Sequence, residues 1–150
     1  MFTALTHSQV WVLDHDEALD FYVGKLGFEV HTDVDLEFMR WLTINVPGQA
    51  DREILLEIPG PPSLDPDTAV QVKDLLSKGA VGFSMGLTTD DCVGLYEELS
   101  GKGVEFLQAP VDRFYGIDMG LRDPFGNNIR ITQPKPMMED PATYESKPVA

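Results

Sequence analysis

The chain is poor in cysteine and in positive charge, and it has no long apolar run. A single cysteine, Cys92, excludes an internal disulfide and suits a reducing cytoplasm. Only 11 Lys and Arg stand against 25 Asp and Glu, a net charge of −14, and no basic cluster interrupts the acidity. Nucleic acid would be repelled, because phosphate contacts need grouped guanidinium and ammonium groups. An anionic membrane surface is disfavoured on the same ground. No apolar stretch approaches the roughly 18 residues of a membrane span. Met1 leads into a strand-like segment, with no basic region and apolar run of a signal peptide, so a cytoplasmic location is expected. What remains is ordinary globular composition, 43% hydrophobic and 24% charged over 150 residues.

The strongest positive feature is an internal repeat. At an offset of 76, Asp14 aligns with Asp90, Leu19 with Leu95, Gly27 with Gly103 and Glu29 with Glu105. The same offset sets His7 against Phe83. Each copy reads as strand, helix and three strands. In the first, Leu5 to Leu13 is a strand with Val10 and Val12 on one face and His7, Gln9 and Trp11 on the other. Asp14 to Glu17 offers N-cap carboxylates and an acidic first turn to a helix bearing Ala18, Leu19, Tyr22 and Leu26, ended at Gly27. Strands begin at Phe28, run from Phe38 to Val46, and run from Arg52 to Ile58. In the last of these, Ile54, Leu56 and Ile58 oppose Glu53, Leu55 and Glu57. This first module covers residues 1–58. A linker over 59–80 opens with Pro59-Gly60-Pro61-Pro62 and carries a short helix through Ala69, Val72, Leu75 and Leu76.

The second module spans 81–133. Its strand runs from Val81 to Thr88, Asp90 and Asp91 cap a helix with Leu95, Tyr96 and Leu99, and strands follow at Val104–Phe106, Gly116–Arg122 and Asn128–Gln133. Residues 134–150 read as a loosely ordered polar tail. One module buries too little surface to stand alone, and two side by side, or one from each of two chains, could curl their sheets around a shared space; the fold class read from this order is α+β, two βαβββ modules with curved mixed sheets around a cavity. Polar groups on the uncovered sheet faces need partners there, from water or from a ligand.

Asp14 with Ala18-Leu19-Asp20-Phe21-Tyr22, then Leu26-Gly27-Phe28-Glu29-Val30, resembles the opening of the vicinal-oxygen-chelate superfamily of glyoxalases, bleomycin-resistance proteins and extradiol dioxygenases. Asp123-Pro124-Phe125-Gly126-Asn127-Asn128-Ile129 resembles its closing turn. The resemblance covers about residues 3–133. It implies the fold, a small-molecule partner and a homodimer, and it names no single chemistry. In metal-using members each module contributes a ligand from its first and last strands. Carried over by position, those places hold His7 and Glu57 in the first module, Phe83 and Arg130 in the second. A benzyl group ligates no cation and a guanidinium repels one, so no metal and no cofactor is expected.

Each candidate has a plain structural alternative. His7 is a general acid/base or a hydrogen-bonded structural histidine. Glu57 is a general base or the ion-pair partner of Arg130. Arg130 fixes an anionic group of a ligand, or pairs with Glu57. Trp11, Trp41, Phe83 and Tyr115 line a pocket or belong to the core. Cys92, in a first helical turn, is a reactive thiol or a small buried residue. His15 and His31 read as surface residues. The Arg113-Phe114-Tyr115-Gly116 segment resembles the loop that borders this family's cavity, or is an ordinary turn. Three functions follow: metal-free binding of a small organic molecule with an anionic group, sequestered or turned over by His7 and Glu57; a metal-dependent lyase or isomerase of glyoxalase type; or a non-catalytic dimeric module.

Overall fold

In a computed structural model, which describes residues 1–138 and 140–150, the chain divides into two compact units, Met1–Ala80 and Val81–Ala150. The first unit contains β1 (His7–Trp11), α1 (His15–Leu19), β2 (Glu29–Asp35), β3 (Arg40–Asn45), β4 (Glu53–Glu57) and α2 (Pro66–Ser77). The second contains β5 (Phe83–Thr88), α3 (Cys92–Gly101), β6 (Glu105–Arg113), β7 (Gly116–Arg122), β8 (Asn128–Pro134) and a short β9 (Lys147–Pro148). The class is α+β, with one mixed curved sheet in each unit.

The repeat read from the sequence reappears as topology. The first sheet has the order β1-β4-β3-β2 and the second β5-β8-β7-β6-β9, with β1 parallel to β4 and β5 parallel to β8. In both units the strand before the helix lies beside the last strand of the module. Asp14 accepts from the Glu17 N–H at 2.8 Å, and Asp91 accepts from the Gly94 N–H at 2.9 Å, so both helices start on an aspartate cap. In the second copy the cap is Asp91 alone; Asp90 is exposed and lies outside it.

β1 alternates as the sequence reading has it, with Val10 and Val12 buried and His7 and Gln9 exposed. β3 and β4 do not alternate as expected: Leu42, Thr43, Ile44 and Asn45 are all buried, and Leu55 is buried beside Leu56 while Ile54 and Ile58 are half-buried, because both faces of these strands are partly covered. In the second unit Met119, Leu121, Ile129 and Ile131 are buried. Burying each of these large apolar side chains contributes roughly 1.5–3 kcal/mol as an upper bound.

The first helix departs from the predicted stripe. After α1 the chain widens into a π-helical stretch, Asp20–Lys25, and Leu26 N–H donates to Phe21 C=O at 2.9 Å. Phe21 and Tyr22 are both buried, their rings edge-to-face at 5.0 Å, and Tyr22 meets Phe28 at 5.9 Å. Phe21 thus takes the core place that a regular helix would give Leu26, which is only half-buried. The segment after Pro134, loose by composition, is tied to β6: Asp112 pairs with Lys147 in the ladder, and Lys135 Nζ reaches Asp112 at 2.5 Å.

Candidate functional sites on the open sheet faces

On the face of the first sheet opposite its helix, Glu53 gathers three side chains. The Thr43 hydroxyl donates to Oε2 at 2.6 Å, His31 Nδ1 lies 3.1 Å from the same oxygen, and His7 Nε2 lies 3.3 Å from Oε1. Trp41 stands beside this group, its ring 6.1 Å from that of His7. The register explains the grouping: His7 is opposite Glu53, while Glu57 is opposite Trp11. Four residues of strand, about 13 Å at roughly 3.3 Å each, therefore separate Glu57 from Glu53. His7 and Glu57, joined in the sequence reading, do not meet; Glu53 is the carboxylate that can orient His7 and exchange a proton with it. His31, read as an unpartnered surface residue, belongs to the same group.

Glu57 instead accepts a hydrogen bond from the Ser63 hydroxyl. With His15, Phe38, Met39, Arg40 and Pro59 it lines a cavity of about 250 Å³, below the range of drug-sized ligand pockets. His15, also read as unpartnered, donates from Nε2 to the Leu56 carbonyl at 3.0 Å. Arg40 is committed to Asp33 by two bonds of 2.8 Å, which hold the Asp33 carboxyl below the usual carboxylate range.

The open face of the second sheet centres on Asp118, a carboxylate only 2% exposed. Arg130 Nη2 donates to its Oδ2, Tyr115 Oη donates to the same oxygen at 3.1 Å, and Arg113 Nε is 3.4 Å away. The ion-pair partner of Arg130 is thus Asp118, one strand over, and not the Glu57 of the sequence reading. Burial, together with the bond to Asp118, pushes the Tyr115 phenol above its ordinary pKa, so it stays a donor at neutral pH. Phe83 lies across Gly86 on this face and is 65% exposed. Trp11 and Trp41 are half-buried on the first sheet, on the side of His7.

Of the residues the sequence reading put forward, the structure brings His7 together with Trp41, and Phe83, Arg130 and Tyr115 together on one sheet. The sequence reading gave Glu53, His31 and Asp118 no place in a site, and it named Arg113 only as part of the loop resembling the cavity border. Cys92 is fully buried, and burial raises its thiol pKa, which removes the reactive reading.

The donors do not fit the divalent centre that the family resemblance implies. On the first sheet His7 and His31 sit at separate oxygens of Glu53 and do not form a three-ligand cluster, and the second sheet offers a phenyl ring and a guanidinium already bound to Asp118. Among the described residues no three His, Cys, Asp or Glu side chains are grouped to hold a metal ion. Among the same residues no helix is long and apolar enough to cross a membrane.

Comparison with known proteins bears on the family and the fold. Residues 4–131 match the Glyoxalase/Bleomycin resistance protein/Dioxygenase superfamily. The chain is 33% identical over 127 residues to YurT of Bacillus subtilis (strain 168), covering 84% of this chain and 95% of that protein. Among solved structures it is similar to UcmS2, at 36% identity and a TM-score of 0.83, over 88% of this chain and 98% of the other. It is similar also to TnmS3, an antibiotic binding protein from Streptomyces sp. CB03234, at 28% identity and a TM-score of 0.70, over 89% and 98%. With its repeated module, its strand order and its closing Asp-Pro turn, this chain belongs to the Glyoxalase/Bleomycin resistance protein/Dioxygenase superfamily.

Proposed function

We propose that the protein binds a small organic molecule on its open sheet faces, without a standard divalent metal centre, and holds it rather than converting it. The observation that carries this reading is the pair Phe83 and Arg130. At two positions where metal-using relatives place donors, this chain has an aromatic ring and a cation, groups that suit an organic ligand and not a metal ion. Similarity to TnmS3, described as an antibiotic binding protein, supports binding as the activity. A homodimer is part of the same proposal, by family resemblance.

Elemental analysis of the purified protein is the direct test. The expected result is no stoichiometric divalent metal after gel filtration, and ligand affinity unaffected by EDTA. One equivalent of tightly bound Zn²⁺, Ni²⁺ or Fe²⁺ would refute the reading. A second reading draws on the contact between His7 and Glu53: the bound molecule is turned over by proton transfer. Product formation that disappears in both His7→Asn and Glu53→Gln would establish it over simple sequestration.

A further inference from the structure

The open face of the second sheet holds more positive charge than its own carboxylate neutralises. Two guanidiniums, Arg113 and Arg130, face the single Asp118. The other contact of Arg113 is neutral: Nη2 donates to Gln108 Oε1 at 3.2 Å. Its Nε is buried and makes no hydrogen bond. The next carboxylate along β6, Asp112, is already matched by Lys135. The group Arg113, Arg130, Asp118 and Tyr115 therefore carries a net single positive charge, in a chain whose total is −14. A purely structural ion pair needs one guanidinium; here a second lies beside the same buried carboxylate, and each guanidinium is about a third exposed, so that water or a further anion can complete it.

Two glycines form the floor beneath these side chains. Gly86 and Gly120 flank Arg130 in the ladder, one on each side. Neither has a side chain to cover the guanidinium; a methyl group at Gly120 would sit 3.2 Å from Arg130 Nη1. Arg130 is 37% exposed across this floor. The Phe83 ring lies over Gly86, its Cζ 3.1 Å from where a Cβ would stand, and offers an exposed apolar surface to the same space.

We infer that this face is a subsite for an aromatic monocarboxylate, with the carboxylate received by Arg130 and Arg113 and the ring resting against the exposed Phe83. The assignment rests on the small-molecule reading above and narrows it to one charge and one shape. One uncompensated positive charge matches a monoanion, and guanidinium geometry matches a carboxylate edge. The single phenol proton of Tyr115 is already given to Asp118, so Tyr115 positions that carboxylate and does not donate to the ligand.

Isothermal titration of the full chain with 2-naphthoate and with its neutral isostere 2-naphthamide tests the idea. Naphthoate is expected to bind about tenfold tighter or more, as a charge-assisted contact provides, with the gap narrowing as salt rises. Arg130→Gln is expected to abolish the difference between the two probes. Phe83→Ala, at an exposed position, is expected to weaken both probes while leaving the urea midpoint unchanged. Asp118→Asn removes the internal competitor, so naphthoate should bind tighter still. Equal affinity of the two probes for the wild-type chain overturns the inference and leaves the small-molecule reading in place. Binding of neither probe overturns both.

Discussion

Asp123→Ala is expected to cost about 3–5 kcal/mol of folding stability, read as a lower urea midpoint at unchanged slope. Asp123 is 2% exposed, and its Oδ1 accepts from the N–H groups of Phe125, Gly126 and Asn127 at 3.0, 2.9 and 2.8 Å. Its Oδ2 accepts from Asn127 Nδ2 at 2.6 Å. Alanine leaves those donors in a place that is itself buried, since Phe125 and Asn127 are 4% and 2% exposed. Each orphaned buried donor costs about 1–3 kcal/mol, and partial relaxation keeps the total below the simple sum. Asp123→Asn keeps an acceptor oxygen and should lose clearly less. The damage should also spread to β5, because Asn127 Oδ1 accepts from the Ser84 hydroxyl at 3.1 Å, next to Phe83. A loss below about 1 kcal/mol in Asp123→Ala would mean that water replaces the carboxylate, and that the turn is not held as described.

Much of the fold was legible because it rests on local signals repeated at a fixed offset. Helix caps at Asp14 and Asp91, period-two alternation through Val10 and Val12, and the Asp123 turn are all features of neighbouring residues. What escaped depends on distant partners. The strand expected at Val104–Phe106 runs on as β6 through Pro110 to Arg113. The ladder register shifts between Gln108 and Val111, so the missing N–H falls at an irregularity, and the Pro110 carbonyl still accepts from Val149 N–H at 3.1 Å. The π-helical stretch Asp20–Lys25, within which Phe21 and Tyr22 are buried, has no local signal in the sequence.

The candidate sites were legible by face and not by partner. Alternation places Glu53 and Glu57 on the same side of β4, so it cannot choose between them. The choice belongs to the register of β1 against β4, a property of two segments far apart in sequence. His31 turns toward Glu53 where the β2–β3 register shifts between Val30 and Thr32, an irregularity no local pattern announces. Asp118 lies on the face opposite the buried Met119 and Leu121, so alternation alone does not announce its burial; that depends on Arg130, Arg113 and Tyr115, which reach it from the adjoining strands and turn.

Gly116→Ala is expected to cost about 3 kcal/mol or more, and to disable the second sheet's open face even where the fold survives. Gly116 has φ +152°, and a Cβ there would stand 2.2 Å from the Gln133 carbonyl oxygen and 3.1 Å from Pro134 Cα. Both are backbone atoms of β8, fixed by the ladder in which Gly116 opposes Pro134 and Ile117 opposes Gln133. They cannot move without shifting the strand pair, unlike the tip of a flexible side chain. Gly116 also closes the β6–β7 turn, where it is paired with Arg113 across Phe114 and Tyr115. Displacing it moves Arg113 and Tyr115, two of the three groups that hold Asp118. Loss of 2-naphthoate binding in Gly116→Ala should therefore exceed what its lower urea midpoint alone explains. Gly60→Ala, with nothing within 4 Å of the new methyl group, is the matched control and should stay within about 0.5 kcal/mol of the wild type. Equal stability of the two variants would show that β7 and β8 do not approach so closely at this point, and the geometry assigned to Tyr115 and Arg113 would fall with it.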